Sequence, residues 1–149
     1  GVAKDTDVIC VSVIGLKDSP GVAFKLFNKL AQYKVNVDMI LQSVGRDGTK
    51  DITFTVPSGQ KDETVSAIEA LHNTFDYKDI TMNDSIAKIS IVGAGMESHP
   101  GVASKMFEAL YDAGINISMI ATSEIKVSVL IDAKYADKAV QSVHDAFII

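Results

Sequence analysis

The chain has 149 residues, 47% of them hydrophobic, and carries 14 basic against 19 acidic side chains for a formal charge of −5. This composition predicts a globular fold rather than disorder, and the absence of a lysine or arginine cluster argues against the concentrated basic face that nucleic-acid binding needs. No apolar run approaches the roughly 20 residues that span a bilayer, no secretory leader is visible, and a lone cysteine, Cys10, excludes an intrachain disulfide framework and fits a reducing, cytoplasmic compartment.

Gly1 rather than Met opens the sequence, as in a piece excised from something longer, and Val2-Ala3-Lys4 is a short strand-like fragment. Ile9, Val11 and Val13 then alternate in an apolar strand. Ser19-Pro20 reads as an N-cap followed by proline at the first helical position. The helix puts Val22, Ala23, Leu26, Phe27, Leu30 and Ala31 on one stripe. Residues 36–44 form a second strand, Gly45 to Gly48 a turn, and Ile52, Phe54 and Val56 one face of a third strand whose other face is Asp51, Thr53 and Thr55. Pro57-Ser58-Gly59 breaks the chain before a helix over 62–73 with Val65, Ile68 and Leu71 inward, and 77–82 supplies a fourth strand. The order β-α-β-β-α-β is the ferredoxin-like unit of an α+β fold.

The pattern then recurs. At an offset of 80, ten of the 21 positions from Pro20 to Ile40 are identical, including Pro100-Gly101-Val102-Ala103, Asn116 and Met119-Ile120. The preceding strand matches at an offset of 78, so the second copy carries two extra residues in its strand-to-helix loop. It reads as strand 86–92, helix 100–113, strand 116–122, strand 126–131 with Val127, Val129 and Ile131 on one face, and helix 136–146. Only Phe147-Ile148-Ile149 remain where its fourth strand should stand. An unpaired sheet edge is a liability, so either the N-terminal fragment completes the second sheet or the sequence has been trimmed. The first option makes 7–84 one domain, inserted in a second built from 85–149 and 1–5.

No side-chain constellation points to catalysis or a metal or other cofactor. His72 and His144 sit at helix ends without a carboxylate or cysteine at ligand spacing, and His99, beside Pro100, reads as a cap or loop residue. Gly93-Ala94-Gly95 lacks the third glycine of a dinucleotide loop and the lysine of a phosphate loop. The loop Lys17 to Ala23 carries more chemistry. It sets Asp18 before the positive end of a helix, whose free amides take an anion such as an α-carboxylate, while Asp18 offers a partner for an α-ammonium and Gly21 allows close approach. The same residues also simply make a good helix start. The second copy has Ser98 in place of Asp18, so the two loops are not equivalent.

These motifs resemble the tandem ACT domains of aspartokinases over the whole chain. Asp18-Ser19-Pro20-Gly21-Val22-Ala23, Val35-Asn36-Val37-Asp38-Met39-Ile40 and Thr49 to Val56 resemble the first domain. Ile89 to Met96, Ser98 to Ala103, Ile115-Asn116-Ile117 and Ile120 to Val129 resemble the second, with Ala121 a departure from the usual serine. The resemblance implies a non-catalytic regulatory region that binds threonine and/or lysine and inhibits an aspartokinase catalytic domain or alpha subunit, and a homodimer formed by ACT–ACT pairing. It implies effector contacts from Asp18, Gly21, Val22, Ala23 and Gln42, with Asn116 and Ile117 supplied by a partner chain. A second, lysine-responsive patch would comprise Met96, His99, Ser123 and Glu124. Ser43-Val44-Gly45 departs from the Asn-Val-Ser often found after that glutamine, which leaves effector choice open. The alternatives are an ACT-type dimerisation module without a ligand and an RNA-binding ferredoxin-like domain. The RNA reading lacks the aromatic platform and basic surface it requires.

Overall fold

The computed structural model describes residues 1–45, 47–93 and 101–147. The chain divides into two compact units, one comprising 7–84 and the other 1–6 with 85–149. After β1 (Val2–Asp5), the first unit runs β2 (Val8–Lys17), α1 (Val22–Gln32), β3 (Ile40–Val44), β4 (Thr49–Pro57), α2 (Lys61–Ala70) and β5 (Asp79–Asn83), with a 3₁₀ turn, Ser58–Gln60, ahead of α2. Its antiparallel sheet has the order β3-β4-β2-β5. Val11 faces Phe54 and Val13 faces Ile52 across the β2–β4 ladder. These side chains meet Leu26 and Leu30 of α1 and Ile68 of α2 in one core, where the Phe27 and Phe54 rings pack edge to face at 5.7 Å. The ladder shifts between Val13 and Leu16. Gly15 there has φ +76, and a Cβ on it would come within 2.6 Å of the Lys78 stem, so only glycine fits the bulge.

The second unit runs β6 (Ile86–Val92), α3 (Val102–Asp112), β7 (Met119–Thr122), β8 (Lys126–Asp132), a 3₁₀ turn and α4 (Ala136–Phe147). Its sheet order is β1-β6-β8-β7. β1 pairs antiparallel with β6 from Val2 opposite Ile91 to Asp5 opposite Lys88. The Gly1 ammonium and Val92 amide add bonds to the Val92 and Gly1 carbonyls, at 2.8 and 3.1 Å. The N-terminal fragment thus occupies the fourth-strand position, as expected. Both sheets have the ferredoxin-like order.

Several local expectations are corrected. The second strand starts at Ile40, not Asn36, because the Thr55 hydroxyl takes the Met39 amide at 2.9 Å and the Gln60 side chain takes the Asn36 amide at 2.8 Å, interrupting a regular ladder. That role also explains why Thr55, expected on the outer face, is buried. β7 likewise begins at Met119, after Ser118 donates to the Leu130 carbonyl through both its amide and hydroxyl. Helix α2 ends at Ala70 and turns Thr64, Ala67 and Ile68 inward, leaving Val65 half-buried. Of the predicted stripe of α1 Ala31 alone is exposed, in the last turn before Lys34, at φ 60, reverses the chain.

Candidate functional site

The first unit's loop between β2 and α1 holds Asp18, Gly21, Val22 and Ala23 together. Its helix start differs from the expected one. Ser19 and Pro20 lie outside the helix, and Gly21, at φ 88 and ψ −13, is the N-cap, with no side-chain capping bond. Glycine has little steric penalty in this left-handed conformation. The Val22 amide meets the Ser19 carbonyl only at 3.5 Å. The following amides, of Ala23 and Phe24, open the helix without intrahelical acceptors. The Val22 side chain is in the core, so only its backbone can serve a ligand.

Asp18 is fixed by its amide, which donates to the Gly48 carbonyl at 2.9 Å and ties the loop to the β3–β4 turn. Its carboxylate is 39% exposed, lies 3.7 Å from the Lys50 ammonium, and receives no hydrogen bond from a described residue. Lys50 is 7% exposed, against the expectation for a lysine. Its parity with Ile52, Phe54 and Val56 along the strand was the available signal. Gln42 lies on edge strand β3 opposite Ile52, hence on the sheet face that carries the helices, and is exposed. A groove of about 600 Å³ adjoins the loop. Ser19, Pro20, Val22, Lys25 and Asp47 are among its lining residues, whereas Asp18, Gly21, Ala23 and Gln42 are not.

Asn116 and Ile117 belong to the second unit, between α3 and β7, with Asn116 exposed and Ile117 packed against that unit's core. Ser123 and Glu124 are exposed in the β7–β8 turn, where the Ser123 amide donates to the Lys126 carbonyl at 2.8 Å. Met96 and His99, with Ser98, lie outside the described residues. His72 packs its ring against Tyr77 at 6.0 Å, and His144 is exposed in the last turn of α4. Burial raises the Cys10 thiol pKa and keeps it protonated. Among the described residues no group of three or more histidine, cysteine or carboxylate side chains is placed to hold a metal ion, and no helix is long and apolar enough to cross a membrane.

A family model of the ACT domain matches residues 9–75 and 89–147. The chain is 49% identical over 147 residues to an aspartokinase of Helicobacter pylori, covering 99% of this chain and 36% of that protein. It therefore spans about a third of the length of the curated relatives it matches. It superposes on the ligand-free regulatory subunit of aspartate kinase from Thermus thermophilus with a TM-score of 0.93 at 42% identity, covering 99% of this chain and 97% of that one. A solved structure of aspartokinase alpha and beta subunits gives 0.90 at 44% identity, with the same coverage.

Proposed function

This chain belongs to the ACT-domain family, among the regulatory regions of aspartate kinase, and on that premise we propose that it binds threonine and/or lysine to impose feedback inhibition on an aspartokinase catalytic domain or alpha subunit. The observation that carries the proposal is Asp18. Its carboxylate, three residues ahead of the N-cap of α1, takes no hydrogen bond from a described residue, in a loop that leads to a helix start whose amides are open and whose capping glycine is left-handed. An α-ammonium finds Asp18 and an α-carboxylate finds the amides and the positive end of the helix. Gly21, Val22 and Ala23 contribute backbone, Gln42 reaches the effector side chain, and Asn116 and Ile117 of a second copy complete the site. The patch of Ser123 and Glu124, with Met96 and His99, is a second place for lysine.

Inhibition then follows as linkage. An effector held between two copies favours one arrangement of a homodimer, and it inhibits to the extent that it binds that arrangement more tightly. The free Cys10 suits a reducing cytoplasm. Calorimetry with threonine and lysine, singly and together, tests the site. Asp18→Ala should weaken threonine binding by about tenfold or more, the usual cost of losing a charge-assisted hydrogen bond. Unchanged threonine affinity sinks the assignment.

One observation favours a second reading, a dimerisation module that takes no ligand. All five residues of edge strand β3 are exposed, Ile40 at 54% and Val44 at 64%, as in a strand awaiting a partner. It predicts a dimer whose melting temperature ignores every amino acid.

A further inference from the structure

Lys50 is the only buried charged side chain among the described residues. The ladders set it opposite Leu16 on β2 and Val44 on β3, so its stem runs through apolar surroundings to an ammonium beside Asp18. Lysine is rarely buried unless paired. The 3.7 Å separation is an ion pair but longer than a hydrogen bond, so the Asp18 oxygens keep their capacity to accept. The duplicated unit separates this pair from the helix start. There Pro-Gly-Val-Ala recurs, yet Ser98 stands for Asp18, and the residue three before the Ser128 that pairs with Ser90 as Thr53 pairs with Ser12 is Ile125, exposed and outside β8, so no buried lysine is repeated. Neither charge is repeated while the motif stays, so the fold does not require them. An ion pair with one partner exposed to solvent is in any case weak grounds for stability.

We propose that Lys50 is the positioning and charge-selecting residue of the amino-acid site, an inference that rests on the reading of that site given above. Lys50 steers Asp18 toward the effector ammonium and makes the pair neutral as a whole. A zwitterion with an uncharged side chain then enters without unbalancing the site. An effector with a second ammonium brings a like charge next to a cation whose surroundings screen it poorly.

Calorimetry on the full chain at neutral pH, with 2-aminobutyrate and 2,4-diaminobutyrate as probes, separates the possibilities. The two have the same carbon skeleton and differ by one ammonium. The wild type should prefer the uncharged side chain by at least about tenfold, or 1.4 kcal/mol. Lys50→Met, which keeps the apolar stem, should reduce that preference to about threefold or less, and Lys50→Arg should retain it. A wild type without the preference, or a folded Lys50→Met variant that keeps it, overturns the inference. Should Lys50→Met not fold, the wild-type comparison decides alone. Threonine binding without charge preference removes only the role of Lys50. If the wild type binds none of the probes, threonine or lysine, the site itself falls.

Discussion

The two units repeat one plan around one motif and differ in how they use it. In the first, the motif glycine, Gly21, caps α1 at φ 88. In the second, Gly101 caps α3 at φ −86 and ψ 1, the bridge region that L-residues enter at the third position of type I turns. The first core closes on the Phe27–Phe54 ring pair. The second has Phe107 and, at the place of Phe54, Val129. The first keeps its four strands contiguous in sequence, whereas the second takes its edge strand from the far N-terminus. A retained sequence motif thus preserves the fold of a repeat without preserving the local backbone or charge that a ligand would meet. Specialisation of the two loops follows from a few positions.

The widest break in this comparison comes from deleting residues 1–6. The second unit loses β1 and exposes the edge of β6, while the first retains its own four strands. Amide protection in β6 and β8 should fall by about a hundredfold, or ~2.7 kcal/mol, with β2 and β4 little changed. Hydrogen exchange read segment by segment checks this, and a uniform loss across both units contradicts it.

Much of this architecture was legible in the sequence because burial in a half-covered sheet writes itself with period two. Val11, Val13, Ile52, Phe54 and Val56 all lie in the core as their alternation implies, and the repeat made the missing fourth strand conspicuous. What stayed hidden depends on backbone torsion and on side chains with two uses. Ser-Pro-Gly is a sound start for a helix, and nothing local says that the cap moves to Gly21. Threonine reads as a surface residue until its hydroxyl replaces a ladder bond, as at Thr55. Lys50 shares the parity of Ile52, Phe54 and Val56, but its charge points to the surface and masks that signal. The face of Gln42 depends on its register opposite Ile52, which local sequence does not specify.

The glycine contrast gives a smaller and sharper test. Both Gly21 and Gly101 have open space where a Cβ would sit, so steric contact does not decide the outcome and torsion does. Gly21→Ala should cost about 1–2 kcal/mol for an L-residue held left-handed. Gly101→Ala should be neutral or stabilise by roughly 0.4–1 kcal/mol, through the lower entropy of its unfolded state. Urea denaturation of the two variants settles it, and equal costs erase the proposed difference between the helix starts.

The smallest effect lies in the hairpin turns. In the first unit the Thr49 hydroxyl donates to Asp47 Oδ1 at 2.6 Å and the Thr49 amide donates to the same oxygen at 3.2 Å. These bonds lower the Asp47 pKa, the hydroxyl most, with the Lys78 charge a lesser cause. Both turns close through a backbone bond, from the Gly45 amide to the Thr49 carbonyl in the first unit and from the Ser123 amide to the Lys126 carbonyl in the second, each at 2.8 Å, so the bonds to the Asp47 carboxylate are what the first turn adds. Because the folded pKa of Asp47 lies below its unfolded value of about 3.9, its contribution is present above that value and is lost as pH falls through the folded pKa. Asp47 is exposed, so the contribution is slight and screened by salt. Asp47→Asn should therefore lower stability slightly at neutral pH and leave no difference from wild type in strong acid. Denaturation midpoints measured at both extremes would show the gap closing. A gap that persists in acid means that the asparagine disturbs the turn itself, and that the carboxylate charge is not what distinguishes this hairpin from its repeat.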